Sequence, residues 1–245
     1  VQSLRSSEDY IYKHVLNVAI LSAIIAGQMG FPVGRINLLV KSAILHDIGA
    51  LKLQQLPDAE DLDDGTKEVV KKNTQETLDR YGDLDEEVLR LITQMQELYT
   101  RESDAEIPAG LKESVNANIL YVADAYDRMT AMKSFEEPTS EVKAVRELLA
   151  DEERYNKKIV NALIHGISIL YPGVCVELSN GEKGLVITEN EDNIFEPTVL
   201  DFRNNNLYDL SDPSVKQTIE IADVMKTMDN RIKLDKSLLE EYQAN

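Results

Sequence analysis

The chain has 245 residues, 43% of them hydrophobic and 29% charged, which is enough apolar material for one large domain, or one domain with a small appendage. Its formal charge of -18 argues against free nucleic acid as a partner, because duplex binding needs a basic footprint to replace counterions. A small anionic ligand would need a local cation. The single cysteine, Cys175, excludes an internal disulfide and fits a reducing compartment.

Helical periodicity runs from residue 8 to about 165. In YIYKHVLNVAILSAIIAGQMG apolar residues recur every three or four positions, and Gly30 is placed as a stop. The apolar run VLNVAILSAIIA contains Asn17 and Ser22, and it is shorter than a membrane span. No basic segment with a cleavage site precedes it, so a cytoplasmic location is expected. The pattern begins almost at Val1, which suggests an upstream domain.

A second helix is expected from about Arg35 to Ile48, followed by a solvated acidic loop, LPDAEDLDDG. KEVVKKNTQETLDRYG reads as a helix ended by Gly82, and DLDEEVLRLITQMQELYT as one whose acidic first turn suits the helix dipole. RESDAEIPAGL is a polar loop. KESVNANILYVADAYDRMTAMKSF is expected to be one long helix, closed by Pro138, with two more over Ser140–Leu149 and about Glu152–Leu170.

The texture changes at Tyr171–Pro172–Gly173. Alternating apolar residues flank Asn180–Gly181, a hairpin signal with a loop longer than two residues. EPTVLDF and NLYDL are strand candidates, giving a β-rich stretch over about 171–210. From Asp212 a helix is expected, with Ile219, Ala222, Met225, Ile232 and Leu239 along its stripe. The expected fold is mainly α: a helical bundle over 1–170, then a small β-rich appendage with a C-terminal helix over 171–245.

The chain has three histidines. His14 lies in the first helix and His46 precedes Asp47 at the end of the second. Asp124 sits in an otherwise apolar stretch of the long helix, where a buried carboxylate needs a partner. A divalent cation is one such partner, and Arg128, four residues on, is another. Two imidazoles and two carboxylates suit Mn, Fe, Zn or Mg. His165 has no partner in the pattern and is left out.

The order carried by His14, His46–Asp47 and Asp124 resembles the HD superfamily of metal-dependent phosphohydrolases. DYIYKHVLNVAILS, LLVKSAILHDIG and ILYVADAYDRMT resemble its HD-GYP branch, whose members hydrolyse cyclic di-GMP. The tail YPGVCVELSNGEKGLVI with PTVLDF also resembles a segment that follows such domains. The resemblance implies a divalent metal held by His14, His46, Asp47 and Asp124, with Asp47 serving catalysis; these four retained residues would hold one ion. Glu97 and Asp127 would orient ligands or water, and Lys52 and Lys133 would contact phosphate. Cyclic di-GMP and signalling proteins become the implied partners, and a homodimer is compatible.

The second half of the family's metal site is replaced. Where the family has HPxxG, this chain has Asn73 and Thr74. Where it has HHExxDGxGYP, this chain has Met95, Gln96 and Glu97, then a loop about three residues longer that ends in Glu106–Ile107–Pro108. The lysine after HDIG is Ala50, with Lys52 close by, and Lys133 stands for the family's later arginine. Met95 and Gln96 do not replace two imidazoles. Glu106 adds negative charge where an anion would approach. Three functions follow: a working phosphodiesterase, a weakly active or non-hydrolytic regulatory or receptor module, or a helical docking unit without ligand. The altered motifs favour the second.

Overall fold

The computed structural model describes residues 7–53, 63–100, 106–131, 138–190 and 192–225. It divides into two compact units, one helical and one built on a small sheet. The fold is mainly α, a helical bundle followed by a β-rich unit, as the patterning implies.

In the helical unit, α1 (Ser7–Gln28) buries Ile11, His14, Val15, Val18, Ser22 and Ile25 at three- and four-residue spacing. Gly30 ends it at φ +71, with Gly30 N–H donating to Gly27 O and Phe31 N–H to Ala26 O. By length and composition Ile11–Gln28 does reach what a membrane-crossing helix needs, a correction to the shorter apolar run; here it packs against its neighbours in the bundle.

Helix α2 (Val33–Leu45) stops three residues before Ile48. His46 and Asp47 form its junction with a short 3-10 turn, Ile48–Lys52. Asp63 caps α3 (Asp64–Arg80) by accepting from Thr66 N–H, and Gly82 follows at φ +58. Helix α4 (Glu86–Tyr99) is capped by Asp85. Leu78, Val88 and Ile92 pack with Leu38, Leu45 and Ile48, which ties α2, α3 and α4 together. A second cluster, Ile11, Val15, Ala50 and Val70, ties α1 and α3 to the 3-10 turn.

The long helix expected over 112–135 is shorter. A single turn, α5 (Ala109–Lys112), is separated from α6 (Val115–Thr130) by Ser114, whose ψ of 88 breaks the helix. Ala131 is extended, so α6 ends there. Every residue from Ala117 to Asp127 is buried, which makes α6 the central helix. Helix α7 (Glu141–Ala150) follows, then α8 (Lys157–Ile167), which starts five residues later than expected after a turn over 152–154.

The second unit holds an antiparallel sheet of order β4-β3-β2-β1-β5: β1 (Cys175–Leu178), β2 (Lys183–Thr188), β3 (Thr198–Asp201), β4 (Leu207–Asp209) and β5 (Ile221–Val224). The β1–β2 loop is Ser179–Glu182, four residues, with Gly181 at φ +81. The helix expected from Asp212 is one turn, α9 (Pro213–Lys216). Ile221–Val224 is a strand that pairs with β1, so the stripe through Ile219 and Ala222 is not helical. Ile232 and Leu239 lie outside the described residues, as does most of the acidic loop.

Candidate metal centre

Three elements bring His14, His46, Asp47 and Asp124 together, and all four side chains are buried. His14 comes from the core face of α1, Asp124 from the middle of α6, and His46–Asp47 from the junction after α2. Ending α2 at Leu45 turns two consecutive side chains into the same cluster, which a continuing helix would not do, since adjacent positions there do not face each other.

The donor atoms converge. His14 Nε2 lies 2.9 Å from Asp124 Oδ1, and His46 Nε2 lies 3.3 Å from the same oxygen. Asp47 Oδ2 is 3.7 Å from both Nε2 atoms. One donor atom from each of the four residues falls within 4.8 Å of every other. Ligands bonded at about 2.1 Å to one cation sit roughly 3 to 4 Å apart, so the set fits a single divalent ion after small adjustments. Among the described residues this is the one such group of His, Cys, Asp and Glu side chains.

The imidazoles are held from behind. His46 Nδ1–H donates to Ala43 O at 2.6 Å, which leaves Nε2 facing the cluster. His14 Nδ1 meets Asp127 Oδ2 at 2.7 Å, and Asn17 Nδ2 donates to Asp127 Oδ1 at 2.8 Å. Asp127 therefore links His14 to Asn17. Arg128 forks across the carboxylates: Nε donates to Asp124 Oδ2 at 2.9 Å and Nη2 to Asp47 Oδ2 at 2.8 Å. Its guanidinium carbon lies 4.7 Å from the centre of the Tyr99 ring.

Burial opposes a charge on His14, and Arg128 adds to that opposition. The hydrogen bonds to Asp124 and Asp127 and the charge of Asp124 outweigh both, so its pKa rises from 6.5 to about 9. Burial also works against ionisation of Asp47 and Asp124. The neighbouring His46 and Arg128 outweigh it at Asp47, while Arg128 and the two imidazoles hold Asp124 well below the usual carboxylate range.

Met95, Gln96, Thr74 and Asn73, read in the sequence as replacing family motif residues, are packed or hydrogen-bonded within the fold. Met95 is fully buried. Gln96 donates through Nε2 to His46 O at 2.9 Å. Thr74 is fully buried, with its hydroxyl accepting from Gly49 N–H at 3.0 Å and lying 3.4 Å from His46 O. Asn73 Nδ2 reaches Gly49 O at 3.4 Å.

Two other sequence-expected residues, Glu97 and Lys52, are exposed and lie outside the buried cluster. Glu97 is exposed on α4. Lys52 is exposed, its Nζ 3.5 Å from Asn73 O. His165 is exposed on α8 and donates to Asn161 O. Lys133 lies outside the described residues. Periodicity could have found Asn17, which sits three positions after His14. Gln96, Thr74 and Tyr99 have no such local signal.

Comparison with known proteins agrees with this geometry. Residues 11–129 match the HD domain family. That stretch carries an HD domain, and the motifs within it resemble those of the HD-GYP branch. It is 22% identical over 201 residues to the cyclic di-GMP phosphodiesterase PA4108 of Pseudomonas aeruginosa, which covers 80% of this chain and 49% of that protein. To the cyclic di-GMP phosphodiesterase PdeB of Borreliella burgdorferi it is 24% identical over 225 residues, 87% of this chain and 58% of that one. The chain thus spans about half the length of the curated relatives it matches.

Proposed function

We propose that this chain is an HD-GYP module of cyclic di-GMP signalling with half of the family's metal centre. It binds one divalent ion, Mn, Fe, Zn or Mg, through His14, His46, Asp47 and Asp124, and acts as a receptor or regulatory module with little or no hydrolysis. The observation that carries this reading is the use made of the replaced positions. Met95 fills the core, and the Gln96 amide is spent on the His46 carbonyl. Neither adds a ligand, so among the described residues a pair of ions clamping both the attacking and the leaving oxygen finds no second half-site.

One bound ion would supply Lewis acidity and lower the pKa of a water molecule. The chain's own contribution is to position. Asp127 and the Ala43 carbonyl fix the two imidazoles, and Lys52 and Lys133 are the phosphate contacts expected of the module. In this reading residues 1–170 form the signalling domain and 171–245 an appendage. The protein works in the cytoplasm with signalling partners and is compatible with a homodimer. The runner-up, an active phosphodiesterase, draws support from the four converging ligands and from the activity for which both relatives are named.

The test is cyclic di-GMP turnover by protein reconstituted with Mn or Fe, followed by chromatography, with His46→Ala as control and calorimetric titration of the nucleotide alongside. The expected result is stoichiometric metal, nucleotide binding, and turnover at least about a hundredfold below that of the P. aeruginosa relative, in line with the cost of removing transition-state charge stabilisation. Turnover at the relative's rate that disappears in His46→Ala would establish the enzyme instead.

A further inference from the structure

The two carboxylates of the half-site already have a cation. Arg128 lies on α6 one turn beyond Asp124, and its fork spans from that helix to the residue after α2. Asp47 Oδ2, the oxygen that faces both imidazoles, is the one that accepts from Arg128 Nη2. The guanidinium is 14% exposed, and the two carboxylates are 10% and 1% exposed, so the pairing is largely desolvated. In such surroundings two anions without a counter-ion are strongly destabilising. A planar, permanently charged fork suits two acceptors on different elements better than a lysine would.

We propose that Arg128 is a built-in cation that competes with the divalent ion for Asp47 and Asp124. It holds α6 against the HD junction when no ion is bound, and it withdraws from Asp47 Oδ2 when one binds. The physical reason is simple: a guanidinium and a divalent ion on the same oxygen repel each other, and two carboxylates do not neutralise three positive charges. The module is therefore folded with or without metal, and its ion is held more loosely than the four ligands alone would allow. This rests on the metal-binding reading above and goes beyond it, because it concerns what opposes the ion.

The test compares wild type with Arg128→Met and Arg128→Gln, by titration of Mn against a chromophoric chelator and by thermal melting with and without Mn. Both variants should bind Mn about 10- to 100-fold more tightly than wild type, the range that outer residues exert on metal affinity. Both should melt lower than wild type in chelator and recover when Mn is added. Gln keeps amide donors for one carboxylate, so it stays measurable if Met fails to fold without metal. Unchanged or weaker Mn affinity in the variants, with wild type still binding, would overturn the role of Arg128 alone. Absence of Mn binding in all three proteins would overturn the metal-binding reading as well.

Discussion

A buried imidazole with a carboxylate oxygen at each ring nitrogen donates to both only as imidazolium. His14 is in that position, with a pKa near 9 against 6.5 when unperturbed. A value raised on folding contributes stability that is complete below 6.5 and is lost as pH climbs through about 9. In chelator, the melting temperature should therefore fall between pH 6.5 and 9, and His14→Gln should flatten that fall; a level profile in wild type would refute a charged His14. Asp47 and Asp124 act in the opposite direction. Their pKa values are depressed, so the stability they give is present above about 4 and disappears as pH falls further. With metal present, His14→Ala and Asp47→Ala should lower bound metal and thermal stability together. An ion that binds only the folded state at a hundredfold excess over its Kd stabilises by about 2.7 kcal/mol. Full metal content in both variants would remove them from the ligand set. The four candidates were legible one by one, as metal-capable residues in apolar surroundings. The second bond of Arg128 was not, because its partner Asp47 lies 81 positions away, whereas Asp124 is a same-face neighbour four positions off.

Between elements, the close approach of α3 to the HD turn fixes where Asp47 lies. A Cβ on Gly49 would sit 2.3 Å from Thr74 N and 2.3 Å from Val70 O, both backbone atoms, so α3 has no room to give. The Thr74 hydroxyl takes the Gly49 N–H and approaches the His46 carbonyl, locking the same turn from its polar side. Gly49→Ala is expected to cost about 1 to 3 kcal/mol as overpacking, and to weaken Mn binding by shifting Asp47. A melting curve and chelator competition measure both, and an alanine variant that matches wild type in stability would refute the tight seat. The helices themselves were readable, since their buried faces repeat every three or four residues. Several of their ends were not. Leu45 ends α2 because His46 and Asp47 turn inward together, and Ser114 divides what periodicity reads as a single helix. The tail misled for another reason. Ile219, Ala222 and Met225 recur every three positions, but Val176↔Val224 and Glu177↔Asp223 pair two strands more than forty residues apart, and local periodicity carries no trace of such a partner.

At the scale of the whole chain, and with cyclic di-GMP as the proposed ligand, a charge of -18 sets the terms on which that dianion approaches. A nucleotide coming from solution meets a repulsive field, and the attraction offered by Arg128 and a bound ion is local to a largely buried centre. Beyond roughly 10 Å at 0.1 M salt the field is screened, so added salt removes repulsion at long range while leaving the buried attraction nearly intact. Association of a fluorescent cyclic di-GMP analogue with Mn-loaded protein should therefore quicken several-fold as NaCl rises from about 20 to 200 mM, whereas a basic groove that gathers its ligand slows under the same change. The dissociation rate, set by contacts inside the site, should change much less. Stopped-flow mixing separates the two rates. Association that slows with salt would mean that a patch of Lys and Arg collects the nucleotide before it reaches the centre, and Lys52 and Lys133 would then be the first residues to neutralise.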